Sequence, residues 1–166
     1  MKSLIRAVLP SVFALALAAC GSREFRVQQQ PSVPLGSFGK LLVQPFAIED
    51  PPDPVVREKA LKMADLITRE VRERLAPKFE KEGSVLTVQG RLVGFDPGSQ
   101  AARYWAGFGA GEGTIVVEVT FLDEAGGTVA KGAAWGSVSG GWFGGSLNSA
   151  GKRAAKAVVD FVQERY

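Results

Sequence analysis

Three groups of residues in this 166-residue chain could do chemistry, and the smallest is the most informative: there is one cysteine, Cys20, and no histidine. No imidazole is on hand to ligate a metal or to act as the base of a Ser or Cys triad. A single thiol makes neither an internal disulfide nor a cysteine-rich zinc cluster. The second group is the carboxylates of the glycine-rich half, Glu112, Glu118, Asp123 and Glu124. A glycosidase needs two such groups flanking its bond. However, Asp123 and Glu124 precede Gly126-Gly127 in a stretch that reads as a turn, where solvated carboxylates are ordinary. With no spacing that pairs an acid with a base, the expectation is a protein that is not an enzyme and takes no cofactor and no metal.

The third group is aromatic. Thirteen of the 20 glycines fall between Gly107 and Gly151, eight of them in two clusters. Arg103, Tyr104 and Trp105 precede the first, Gly107-Phe108-Gly109-Ala110-Gly111-Glu112-Gly113; Trp142 and Phe143 stand inside the second, Gly140 to Ser146. A dinucleotide fingerprint needs GxGxxG opening a helix, with phosphate at the helix N-terminus. Here the third glycine is misplaced and a strand follows. Gly39-Lys40 and Gly151-Lys152 lack the Ser or Thr of a P-loop. Gly107, Gly109, Gly111 and Gly113 share a parity, so in extended chain they line one face and allow close backbone approach. Residues 130, 132, 134 and 136 form a second smooth strip, suited to the small residues Ala150, Ala154 and Ala157 of a helix. Arg103, Tyr104, Trp105, Phe108, Trp142 and Phe143 are the candidate contacts for a partner or ligand. Aromatic anchors favour interfaces and the membrane headgroup zone. Trp142 and Phe143 have an alternative role, folding back to cap the core.

These residues need elements to position them. Residues 1–19 carry Lys2 and Arg6, then an uncharged apolar run ending in small residues, the layout of an export signal. A membrane span needs about 20 predominantly apolar residues, more than Arg6, Pro10 and the polar chain after Cys20 leave. Leu17-Ala18-Ala19-Cys20 resembles the lipobox of bacterial lipoproteins. That resemblance implies a diacylglycerol on the Cys20 thiol, cleavage before Cys20, and an acyl chain such as palmitate on the new amine. Gly21 in place of an acidic residue is similar to lipoproteins sent to the outer membrane, which implies a periplasm-facing lipid anchor there. Without residues 1–19, 18 basic side chains oppose 17 acidic ones, and the formal charge of +3 falls to +1. No global basic character then argues for nucleic acid.

Residues 20–38, polar with three consecutive glutamines and two prolines, read as lipidated Cys plus flexible tether. A coil of that length reaches roughly 20–25 Å, enough to let a domain at 39–166 stand off the membrane. Within it, residues 39–48 are β-rich, Asp53 and Pro54 open an amphipathic helix to about Ala76, and residues 84–96, 113–123 and 128–139 read as strands. Residues from Leu147 onward form a closing helix capped by Asn148 or Ser149. The order β-α-β-β-β-α predicts an α+β single domain, a mostly antiparallel sheet with two helices packed on one face.

The run Gly90 to Ser99, then Arg103, Gly107-Phe108-Gly109-Ala110-Gly111, Asp123 and Gly140 to Gly145, resembles an uncharacterised family of small bacterial lipoproteins built on a domain of unknown function. Its pattern is an Arg shortly before a G-[FL]-G-A-G core. Tyr104-Trp105 and Glu112 depart from it. A looser, fold-level similarity is to periplasmic lipoprotein domains of curli-secretion and penicillin-binding-protein-activator type. Together these imply a non-enzymatic interaction module in cell-envelope assembly, maintenance or export, with the membrane and an envelope protein as partners. The alternative is a glycan or small-ligand binder using the aromatic, glycine-rich loops.

Overall fold

The computed structural model describes residues 22–49, 53–96, 113–138 and 146–166. Its strands are β1 (Arg23–Gln29), β2 (Lys40–Val43), β3 (Ala47–Ile48), β4 (Val85–Asp96), β5 (Gly113–Leu122) and β6 (Thr128–Val138); its helices are α1 (Pro54–Leu75) and α2 (Leu147–Gln163). The sheet runs β1-β6-β5-β4-β2, with β3 also on β4. β2 and β3 pair with β4 in parallel and the other neighbours are antiparallel. The fold is therefore α+β, with a mostly antiparallel sheet and both helices on one face.

Alternation decides which face is covered. Ile115, Val117, Val119 and Phe121 of β5 are fully buried beneath the helices, while Glu118 and Thr120 point to the open face beside Arg91 and Lys131. Helix α1 supplies Ala60, Ala64, Ile67, Val71 and Leu75, at helical spacing, to the same core. It starts where the sequence predicts: Asp53 Oδ1 accepts from the amides of Val55 (2.8 Å) and Val56 (3.2 Å), with Pro54 in the first turn. The cap of α2 differs from expectation. It is Ser146, whose Oγ accepts from the Ser149 amide at 3.3 Å.

The smooth strip of β6 packs against α2. A Cβ on Gly136 would overlap the carbonyl oxygen of Ala150 and lie 2.5 Å from the Ala154 nitrogen. The helices meet each other at Gly151, where a Cβ would overlap the Met63 sulfur. Small residues here set the layer spacing; any side chain at Gly136 forces α2 off the sheet.

The tether expected at 20–38 is corrected from Ser22 onward. Residues 23–29 add an edge strand, Arg23 opposite Gly136 and Phe25 opposite Ala134, with a bulge after Val27. Phe25 stacks on Phe161 with ring centroids 4.2 Å apart. Residues 30–39 then cross beneath the sheet from one edge to the other. The Ser32 amide donates to Val129 O and the Leu35 amide to Arg165 O, each at 3.0 Å, while Leu35 and Phe38 are buried. The physical reason is burial: Phe25, Val27, Leu35 and Phe38 hold apolar surface that a free coil would leave in water. The strand order gains β1 at the front, and the run 39–48 divides into β2 and β3 around Gln44–Phe46.

Candidate functional site

Strand directions give the molecule two unlike ends. The lower end is closed by the strap of residues 30–39, by the C-terminal Tyr166 and by the 124–127 hairpin. There Tyr166 packs edge-on against Phe79 at 5.2 Å, lies within 5.3 Å of both Lys78 Nζ and Lys81 Nζ, and donates its hydroxyl to Lys78 O. At the upper end β1 begins, β4 and β6 finish, β5 begins and α2 starts. Asp96 pairs with Thr114, Gly113 with Val138, and Thr114 with Ser137. Ser22 locks onto the same point: its carbonyl accepts from the Ser137 amide at 2.9 Å, and the two hydroxyls are 2.9 Å apart. Arg153 of α2 also donates to Ser137 O, at 2.5 Å.

The flanks of segments 97–112 and 139–145 thus meet at the upper end, beside the residue that follows Gly21. Cys20, Arg103, Tyr104, Trp105, Gly107, Phe108, Gly109, Gly111, Trp142 and Phe143 lie outside the described residues. Gly113, the last of the expected close-packing glycines, is the first residue of β5 and is half-buried.

Three of the candidate carboxylates have structural partners. Asp123 Oδ1 accepts from the Gly127 amide at 2.7 Å, which holds the hairpin whose Gly126 has φ +81°. Glu124 Oε1 accepts from the Val85 amide at 2.8 Å, and Glu118 lies 3.4 Å from Arg91. The fourth, Glu112, lies outside the described residues. Among the described residues no group of three His, Cys, Asp or Glu side chains is placed to hold a metal, and no helix is long and apolar enough to cross a membrane.

The open sheet face carries a feature the sequence reading does not single out. Trp135 lies there, half-buried, with the Arg26 guanidinium 4.5 Å from its ring centre and Arg26 bonded to Glu24. That hydrogen bond and the adjoining charge hold Glu24 below the ordinary carboxylate range and raise Arg26. The parity of β6 contains the signal: if 130, 132, 134 and 136 face the helices, 131, 133 and 135 must face away. A groove of about 340 Å³ on this face is lined by Gln44, Gln89, Arg91, Glu118, Thr120 and Lys131 among others.

The fold and this arrangement define a class: a small α+β domain in which the chain entry and the flanks of the two glycine-rich connections, 97–112 and 139–145, converge at one end. The chain belongs to a family described as a domain of unknown function (DUF4410), which matches residues 52–160. Similar solved structures include two of PelC from Paraburkholderia phytofirmans. One is a dodecamer of a point variant, 14% identical, and the other a dodecamer in a second crystal form, 13% identical; both have a TM-score of 0.51 and cover 84% of this chain and 97% of the other. At such identity the likeness is one of fold. No curated protein matches the chain.

Proposed function

We propose that this protein is a lipid-anchored, non-enzymatic interaction module of the bacterial cell envelope. On this reading it is held by Cys20 at the periplasmic face of the outer membrane and serves envelope assembly, maintenance or export. Its contacts are made at the upper end, through Arg103, Tyr104, Trp105, Phe108, Trp142 and Phe143. The observation that carries the reading is the convergence of Ser22, Asp96, Gly113, Val138 and Ser146 at that end. Connections that are far apart in sequence are thereby offered to one partner. The structural use of Asp123, Glu118 and Glu124 supports a binding role over a hydrolytic one.

The test is affinity capture of the lipidated protein from membranes, with and without Tyr104→Ala and Trp142→Ala, read by mass spectrometry. The expected result is an envelope protein retained by the parent chain and lost from the double variant. Equal capture by both would refute the assignment of the contact surface. If the site instead takes a glycan, cell-wall fragments would change tryptophan fluorescence in a saturable way while the captured set stays unaltered.

A second reading, self-assembly, is favoured by the two PelC structures, both dodecamers. The sheet has β1 on one edge and β2 with β3 on the other, and an unpaired strand edge is a ready template for another chain. Light scattering on residues 22–166 decides it: a single monomeric mass would rule out assembly by the domain alone.

A further inference from the structure

We propose that the β1 edge of the sheet is the contact surface for a second copy of this chain, the two β1 strands pairing antiparallel about a twofold axis at Phe25. This deepens the self-assembly reading above by naming its surface. The two edges of the sheet differ. Along β2, the Val43 carbonyl already accepts from Arg72 of α1 at 2.9 Å and the Gly39 carbonyl from the Lys81 amide at 3.1 Å, while Pro45, just beyond, has no amide hydrogen. That edge is closed to another strand. β1 has β6 on one side and no strand on the other among the described residues.

The register fixes what β1 presents. Ser22 O accepts from the Ser137 amide, so the peptide groups of this pair face each other. Antiparallel alternation then turns the backbone groups of Glu24 and Arg26 toward β6 and those of Arg23, Phe25 and Val27 outward. The bulge after Val27 ends the regular run. A second β1 centred on Phe25 sets Phe25 against Phe25, Arg23 against Val27 and Glu24 against Arg26, and closes about six backbone hydrogen bonds. Glu24-Phe25-Arg26 is thus its own complement, because both cross-strand charge pairs on the open face are opposite in sign. Moving the axis to Glu24 or to Arg26 sets that charge against itself. A parallel, in-register approach sets both against themselves.

On the other face the twofold brings the two copies of α2 alongside. Helix α2 packs over β6, so the two helices stand about three strand spacings apart, roughly 14 Å, wider than the roughly 8–10 Å of directly packed helices. The cleft between β1 and α2, about 310 Å³ and lined by Arg23, Phe25, Asp160, Phe161, Glu164 and Arg165 among others, leaves that width for long side chains. Phe25 is half-buried in one copy. Against its counterpart it loses further apolar surface to water, which favours the pair.

The test co-expresses full-length chains carrying two different C-terminal tags and measures, in detergent extracts of cells, how much of one copy is recovered with the other. Glu24→Arg and Arg26→Glu both lie at exposed positions, and thermal melts check that each variant is folded. The expected result is recovery of parent with parent, and about tenfold less for Glu24→Arg with itself or Arg26→Glu with itself. Recovery should return when Glu24→Arg is combined with Arg26→Glu, where every cross-strand pair is again opposite in sign. Equal recovery in all combinations, or no return in the mixed one, overturns the β1 interface and leaves self-assembly standing. No recovery of parent with parent overturns both.

Discussion

Thr68 shows how single residues hold this architecture. Its side chain is 3% exposed, and its hydroxyl accepts from the Phe46 amide at 2.9 Å while donating to Ala64 O at 2.8 Å. It thereby ties α1 to the β2–β3 connection. Thr68→Val keeps the shape and strands the Phe46 amide, so we expect a loss of about 1–3 kcal/mol in urea unfolding, with Thr68→Ser retaining most of the stability. Glu70 makes a weaker tie between the helices, 2.9 Å from Arg74 and 3.5 Å from Lys152. Partial burial raises its pKa, but the hydrogen bond and charge of Arg74, with Lys152, outweigh this and hold it below 4.5. The carboxylate's contribution is therefore present above pH 4.5 and is lost as pH falls through the lower folded value. Glu70→Gln should cost under about 1 kcal/mol at neutral pH, and its melting curve should merge with the parent's in acid. Asp53 was legible as a cap because proline follows it. Ser146 was not, because Ser146, Asn148 and Ser149 all offer an oxygen at the start of α2 and only the backbone direction selects among them.

At the scale of elements, the covered sheet and its two helices follow from periodicity, since Ile115-Val117-Val119-Phe121 and Ala60-Ala64-Ile67-Val71 leave one choice of buried face. β1 did not announce itself. An edge strand buries one face only, and REFRVQQ has just Phe25 and Val27 to mark it, next to a polar, proline-bearing stretch that looks like a linker. The distinction is measurable. If residues 23–29 were a tether, Phe25→Ala in a soluble chain beginning at Ser22 would change nothing; because Phe25 stacks on Phe161, we expect a loss of about 2–3 kcal/mol. Gly136→Val drives a side chain into the first turns of α2 and should cost about 3 kcal/mol or more. A melting temperature unchanged by Gly136→Val would contradict the close approach of β6 and α2.

At the scale of the whole molecule, polarity is the organising feature. The lower end is sealed by the strap, the hairpin and Tyr166; the upper end gathers the start of the ordered chain at Ser22 and the flanks of the glycine-rich segments 97–112 and 139–145. Composition located those connections and named their aromatic residues, but it could not bring their flanks Asp96, Gly113, Val138 and Ser146 to one end, because that depends on the pairing of β4, β5 and β6 and on α2 starting beside Ser137. With Cys20 as the proposed anchor, the expected stand-off shrinks, because the ordered chain already begins at Ser22. The claim that the upper end is the working end is tested most directly by photocrosslinking in cells, with a crosslinking residue placed at Asn148 or, for comparison, at Ala125 of the full chain. A discrete adduct to an envelope protein or lipid is expected from position 148 and none from 125; adducts only from 125 would contradict the assignment of the upper end.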